Sequence, residues 1–158
     1  ALNTKPILGC IAHPPSEIIW VGGSEIGSYK KNSKDDFVEI NCRDVPEEGP
    51  TIAISKHHIG PKLEKWLSSI NFINKLKVGS AIKFTLIAEG KADLFPRTTP
   101  TYEWDSAAGE AIIKGSRGYV TQMNGANMVY GREDKKNPNF IAFGRPNWEK
   151  FLKENNSG

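Results

Sequence analysis

The stretch that most constrains this chain is Trp104-Asp105-Ser106-Ala107-Ala108-Gly109-Glu110-Ala111-Ile112-Ile113. Read locally, it starts a helix. Trp104 stands just outside, and Asp105 is a good N-cap, its carboxylate placed to accept free N–H groups of the first turn. Ala107, Ala108, Ala111 and Ile112 then share one face at helical spacing. That face is small where the helix begins and larger beyond, so another backbone or a bound ion can approach closely. Asp105 has two open readings. It is a plain cap on a buried helix, or it is a metal ligand held at the helix's positive end.

Around this helix the chain falls into two parts. Residues 7–12 read as a strand stopped by His13-Pro14-Pro15, residues 17–21 as a second ended by Gly22-Gly23, and residues 37–41 as a third. Short spacings with Pro and Gly turns predict antiparallel neighbours, and three such strands leave an open edge. From about Pro46 the pattern changes. A buried strand over 51–55 leads to a helix opened by Pro61, with Leu63, Trp66, Leu67 and Ile70 on one face. A strand over 75–78, a helix over 80–89 and a strand over 93–95 precede the Asp105 helix. Strands over 119–122 and 128–130 flank Asn124-Gly125, a hairpin-type turn. A last strand spans 140–143, and a final helix spans 146–154 with Trp148, Phe151 and Leu152 inward. This alternation predicts a layered α/β domain over 46–158, preceded by antiparallel strands over 1–45.

The 158 residues suffice for one domain with a real core. A net charge of +3 is too small to argue for a nucleic acid polymer, although it suits a small anionic substrate. Cys10 and Cys42 lack metal-ligand spacing, and the expectation is a reduced, cytoplasmic protein. No apolar run reaches the length of a membrane span. Ala1-Leu2-Asn3-Thr4-Lys5 does not open a signal peptide, and without an initiator Met the expectation is a processed chain or a fragment.

Gly79-Ser80-Ala81-Ile82-Lys83 is the second informative stretch. With Ser80 as N-cap, Lys83 would oppose the helix dipole unless an anion sat there. The alternatives are a phosphate cradle and a solvent-exposed lysine. Ser55-Lys56-His57-His58 follows a strand and precedes a helix, where α/β folds bind ligands. No carboxylate or thiol lies close enough in sequence to make it a metal site. Arg97, eight residues before Asp105, can fork onto a phosphate or form a surface salt bridge to Glu103 or Asp93. Asp93 is expected to close a turn.

Trp104-Asp105-x-Ala107-Ala108-Gly109-x-Ala111-Ile112 resembles the second signature of the inositol monophosphatase superfamily. Gly90-Lys91-Ala92-Asp93-Leu94-Phe95-Pro96-Arg97, Pro100-Thr101, Glu103 and Asn137-Pro138-Asn139-Phe140-Ile141-Ala142 resemble its bacterial 3'(2'),5'-bisphosphate nucleotidase branch. The resemblance covers nearly the whole chain. One departure is Gly115-Ser116-Arg117-Gly118, where the family usually has paired glycines. The resemblance implies the inositol-monophosphatase-like sandwich and a Mg-dependent phosphomonoesterase that removes the 3'-phosphate of adenosine 3',5'-bisphosphate. It implies Asp105 as a catalytic metal ligand and Ser80, Lys83, Ser55 and His58 as substrate contacts, with His57 beside them. It implies that Arg97 reads a second phosphate, at a place where the inositol phosphatases carry an acidic residue.

It also implies further Mg ligands, in a Glu pair and an Asp-Pro-x-Asp-Gly-Thr motif. Neither occurs here, and Glu47-Glu48, in a turn, is not that pair. One carboxylate cannot hold two or three hard cations that want about six oxygens each. The expectation is therefore the C-terminal part of a bisphosphate nucleotidase, which binds a missing N-terminal half or associates with itself. The alternatives are an inositol- or sugar-phosphate phosphatase and a non-catalytic phosphate-binding fragment.

Overall fold

The structure is a computed structural model that describes residues 1–56, 59–146 and 148–153. Four strands, β1 (Gly9–His13), β2 (Ile18–Gly23), β3 (Gly27–Asn32) and β4 (Val38–Glu39), form an antiparallel sheet in that order. The sequence reading expected three strands and missed β3. Gly-Ser-Tyr-Lys-Lys-Asn has no apolar alternation, yet Ser28 is fully buried and Lys30 is tied to Glu89. The strand expected over 37–41 shrinks to the two residues that pair with Tyr29 and Lys30.

The second sheet comprises β5 (Thr51–Ile54), β6 (Asn74–Lys77), β7 (Leu94–Arg97), β8 (Tyr119–Gln122) and β9 (Phe140–Phe143), in the order β6-β5-β7-β9-β8. β6, β5 and β7 run parallel, while β9 is antiparallel to both β7 and β8. β5 and β9 are buried at every position, as continuous apolar strands covered on both faces should be. The helices are α1 (Pro61–Ser68), α2 (Ile82–Ala88) and α3 (Glu103–Gly115).

The helix read from the sequence as central is central in space. α3 packs on β1, β2 and β3 and also on α2. The small face permits this approach: a Cβ on Gly9 would lie 2.2 Å from the Ala108 carbonyl oxygen, and one on Gly109 2.3 Å from Cγ of Phe84. Ser28 Oγ donates to the Ile112 carbonyl at 2.6 Å. One apolar cluster runs from Ile11 and Trp20 through Ile112 to Phe84, Phe95 and Phe140, so the two sheets share a core. The Glu89 carboxylate, at the end of α2, accepts from Trp20 Nε1 at 2.8 Å and Lys30 at 2.9 Å, and pairs with Lys91 at 2.7 Å.

Three further expectations are corrected. Met128–Tyr130 is no strand. The chain does turn at Asn124-Gly125, where Gln122 N–H reaches the Ala126 carbonyl at 2.8 Å, but Tyr130 N–H then bonds the Thr4 carbonyl at 3.0 Å. Its apolarity reflects core anchoring, since Met128 and Tyr130 are both buried. The helix expected over 146–154 is, among the described residues, one 3-10 turn at Trp148–Phe151. The chain beyond it is drawn onto the end of α1, with Lys153 N–H on the Ser69 carbonyl at 2.8 Å. Asp93 does more than close a turn. It is buried and accepts the Arg43 guanidinium through both oxygens at 2.9 Å and the Thr51 N–H at 2.7 Å.

Cys10 is exposed, Cys42 is buried, and both are free thiols. Among the described residues no helix is long and apolar enough to cross a membrane.

Candidate functional site

Parallel strands end together, so whatever follows them is gathered at one edge. Ser55 follows β5, Val78 and Ser80 follow β6, and Arg97 closes β7. The first turn of α3 completes a cleft of about 630 Å³ lined by Ser55, Ser80, Lys83, Arg97, Trp104 and Asp105. Its floor includes Phe84, Phe95 and Phe140, stacked or edge-on at 5.0–5.9 Å between ring centroids. Five of the six residues expected at the site are thus brought together. The sixth, His58, lies outside the described residues, as does His57.

Lys83 is neither exposed nor in the geometry expected. α2 begins at Ile82, and Ala81 rather than Ser80 is its N-cap, with no side-chain cap. Ser80 adopts a left-handed turn at φ +57°. Lys83 holds that turn, with Nζ donating to the Ser80 carbonyl at 2.7 Å and the Val78 carbonyl at 3.3 Å. The side chain is 3% exposed, and Nζ lies 5.0 Å from the Phe95 ring centroid. Burial above all, and then the Arg97 charge, lowers its pKa from 10.5 to about 8. Among the described residues its partners are carbonyls and an aromatic ring, with no carboxylate paired to it.

Arg97 makes neither of the alternative salt bridges. Asp93 is taken by Arg43, and Glu103 accepts the Arg132 N–H at 2.7 Å. Instead Arg97 Nη1 donates to Ser55 Oγ at 2.9 Å, and its buried Nε has no hydrogen-bond partner among the described residues. Burial pushes the Arg97 pKa down, and the Asp105 carboxylate opposes that shift.

Asp105 is not the cap itself. α3 starts at Glu103 with Tyr102 as N-cap, and Asp105 is its third residue. The carboxylate reaches back to accept the Tyr102 N–H at 2.8 Å, the reciprocal half of a capping box. Trp104 therefore lies in the first turn. Its ring stacks on Tyr102 with centroids 4.7 Å apart and planes 6° from parallel.

Behind this turn lies a network that the sequence reading did not single out. The Asn137 amide donates to the Tyr102 carbonyl at 2.6 Å and Ser106 Oγ at 2.9 Å. The Tyr130 hydroxyl donates to Glu110 at 2.6 Å, and Glu110 pairs with Lys114. Burial and the Glu110 charge push the Tyr130 pKa up, so it stays a donor. Asn137 was visible only through its motif, which carried no indication of what it touches.

The described residues do not by themselves make a magnesium site. They contain no cluster of three or more His, Cys, Asp or Glu side chains fit to hold a metal ion. The cleft offers Asp105 alone, and one of its oxygens serves Tyr102.

An antiparallel sheet backed by a layered α/β unit, with a cationic cleft at the carboxyl ends of parallel strands, defines a class. Residues 1–152 match the inositol monophosphatase family, and the chain belongs to it. It is 33% identical over 137 residues to the 3'(2'),5'-bisphosphate nucleotidase CysQ of Salmonella typhimurium, covering 86% of this chain and 54% of that protein. A Golgi-resident adenosine 3',5'-bisphosphate 3'-phosphatase of Mus musculus is 27% identical over 168 residues, covering 98% of this chain and 43% of that protein. The crystal structure of CysQ from Bacteroides thetaiotaomicron superposes with a TM-score of 0.80 at 29% identity, over 90% of this chain and 59% of that one. The chain thus spans about half the length of the bisphosphate nucleotidases it matches.

Proposed function

We propose that this chain is the C-terminal part of a Mg-dependent phosphomonoesterase that removes the 3'-phosphate of adenosine 3',5'-bisphosphate. One observation carries the reading. Arg97, whose buried Nε has no partner among the described residues, lines the same cleft as the desolvated Lys83 ammonium, and Asp105 is the only carboxylate among the described residues that line it. Three cationic side chains, Lys56, Lys83 and Arg97, against one carboxylate suit a ligand with more than one anionic group better than a single phosphate. The likeness to a bisphosphate nucleotidase and a bisphosphate 3'-phosphatase supports the same substrate. In this reading Ser55, Ser80 and Lys83 hold a phosphate with His58 beside them, and Arg97 forks onto the second.

Asp105 contributes one ligand to magnesium, and the other ligands come from an N-terminal half. That half also covers Leu2, Ile7, Leu8, Ile19, Phe37 and Val38, all exposed on or beside the first sheet. The test is a phosphate-release assay with adenosine 3',5'-bisphosphate and Mg, on the purified chain alone and after adding an N-terminal half from a CysQ relative. Turnover only on mixing is expected. Turnover by the chain alone, at its mass of 17.5 kDa, would overturn the division of ligands. Release from inositol 1-phosphate in preference to the nucleotide would overturn the substrate.

A further inference from the structure

We infer that Asn137 is a positioning residue for the cleft: its side-chain amide clamps the start of α3 on both sides of Asp105 and so sets where that carboxylate stands. This rests on the reading that Asp105 serves the phosphatase site, and it adds to that site a residue that touches no ligand. Asn137 Nδ2 donates to the Tyr102 carbonyl at 2.6 Å and to Ser106 Oγ at 2.9 Å, with Thr101 Oγ1 at 3.1 Å. Tyr102 is the cap of α3 and Ser106 its fourth residue, so Asp105 lies between the two anchors. Asn137 is not among the residues that line the cleft, and its influence there passes through those that do.

The clamp is itself anchored. Asn137 N–H donates to the Thr101 carbonyl at 2.9 Å, and Lys136 pairs with Tyr102. Ser106 is fully buried, and the Tyr130 hydroxyl, 3.2 Å from its Oγ, donates to the buried Glu110. Asp105 is exposed by contrast, and an exposed carboxylate can turn among rotamers. What holds it is Oδ2 accepting the Tyr102 N–H at 2.8 Å, and Asn137 holds Tyr102 in turn. Removing a residue that orients a ligand-binding side chain in this way typically costs about tenfold or more in activity.

The test reads the carboxylate's place and the catalysis separately. In the 158-residue chain, amide hydrogen exchange at Tyr102 reports the bond that Asp105 makes. Asn137→Ala, and Asn137→Asp, which keeps the size and loses the donor, should speed that exchange by about tenfold while the amides of β5 and β9 keep their rates. In the enzyme assembled with an N-terminal half, both variants should lower kcat for adenosine 3',5'-bisphosphate by about tenfold and leave KM unchanged, because Ser80, Lys83 and Arg97 are untouched. Ile70→Ala, which opens a cavity in the apolar cluster joining α1 to β5 and β9, should lose stability in urea and keep its kcat. An equal loss of kcat in Ile70→Ala would make the effect one of general destabilisation and overturn the positioning role. So would unchanged Tyr102 exchange in Asn137→Asp, or a raised KM at constant kcat. A parent mixture without turnover sinks the phosphatase reading, while the exchange at Tyr102 still decides whether Asn137 sets Asp105.

Discussion

Lys83→Met separates what this lysine does for folding from what it does for a ligand. Folding moves the ammonium from an ordinary pKa of 10.5 to about 8, which corresponds to roughly 3 kcal/mol against the charged form. In return Lys83 serves the carbonyls of Ser80 and Val78, worth about 1 kcal/mol each. Met fills a similar volume over Phe95 without the charge. The variant should therefore be more stable at pH 7 by about 1 kcal/mol, while phosphate binds at least ten times more weakly.

The pH dependence has a definite sign. The folded pKa lies below the unfolded one, so between about 8 and 10.5 the unfolded chain binds more protons. Parent stability rises across that window, the variant lacks the rise, and the gap between them closes. Phosphate affinity of the parent falls as pH climbs through the same range, because a neutral amine holds an anion poorly. Urea unfolding at pH 7 and pH 10, with phosphate titrations alongside, reads both quantities. A variant less stable than the parent at pH 7, with phosphate binding intact, would refute the reasoning and make Lys83 structural.

Three further outcomes follow from the contacts described. Arg97→Glu in the assembled enzyme should cost the bisphosphate nucleotide about tenfold more in kcat/KM than a nucleotide monophosphate, and equal losses would remove Arg97 from the second phosphate. Asp93→Ala strands the Arg43 guanidinium and the buried Thr51 N–H, so urea unfolding should register a loss of about 3 kcal/mol; a loss under ~1 kcal/mol would mean that water replaces the carboxylate. Gly109→Ala places a methyl 2.3 Å from the Phe84 ring and should lower stability by about 2 kcal/mol in the same assay, with an unchanged midpoint counting against the tight α2–α3 contact.

How far the sequence could be read depended on whether a residue's local pattern and its tertiary partner agreed. β5 and β9 were legible because strands buried on both faces must be apolar throughout. β3 was not, because its burial is bought from outside: Ser28 lies under α3, and Lys30 is neutralised by Glu89. That Lys83 and Arg97 belong to one site was legible from residue type and position. Their burial was not, since it depends on an aromatic floor built from α2, β7 and β9, nor was the left-handed Ser80 turn, which Lys83 holds through the Ser80 and Val78 carbonyls.

The start of α3 shows the same limit at the scale of three residues. An Asp that accepts an N–H near a helix start satisfies the sequence rule as cap or as third residue. The tertiary contacts decide between them. Asn137 holds the Tyr102 carbonyl, and Glu103 exchanges backbone contacts with the 131–137 segment: its N–H donates to the Lys135 carbonyl at 2.8 Å, and its carboxylate accepts the Arg132 N–H. That segment fixes the first turn from Glu103 onward, so the helix begins three residues before the position read from the sequence. The consequence is functional as well as geometric. Had Asp105 been the cap, Trp104 would lie in the preceding loop, free of helical geometry. As the second helical residue it is stacked on the cap itself, beside the carboxylate that closes the capping box. Cap, aromatic pair and carboxylate are then tied together at the cleft that Lys83 and Arg97 also line.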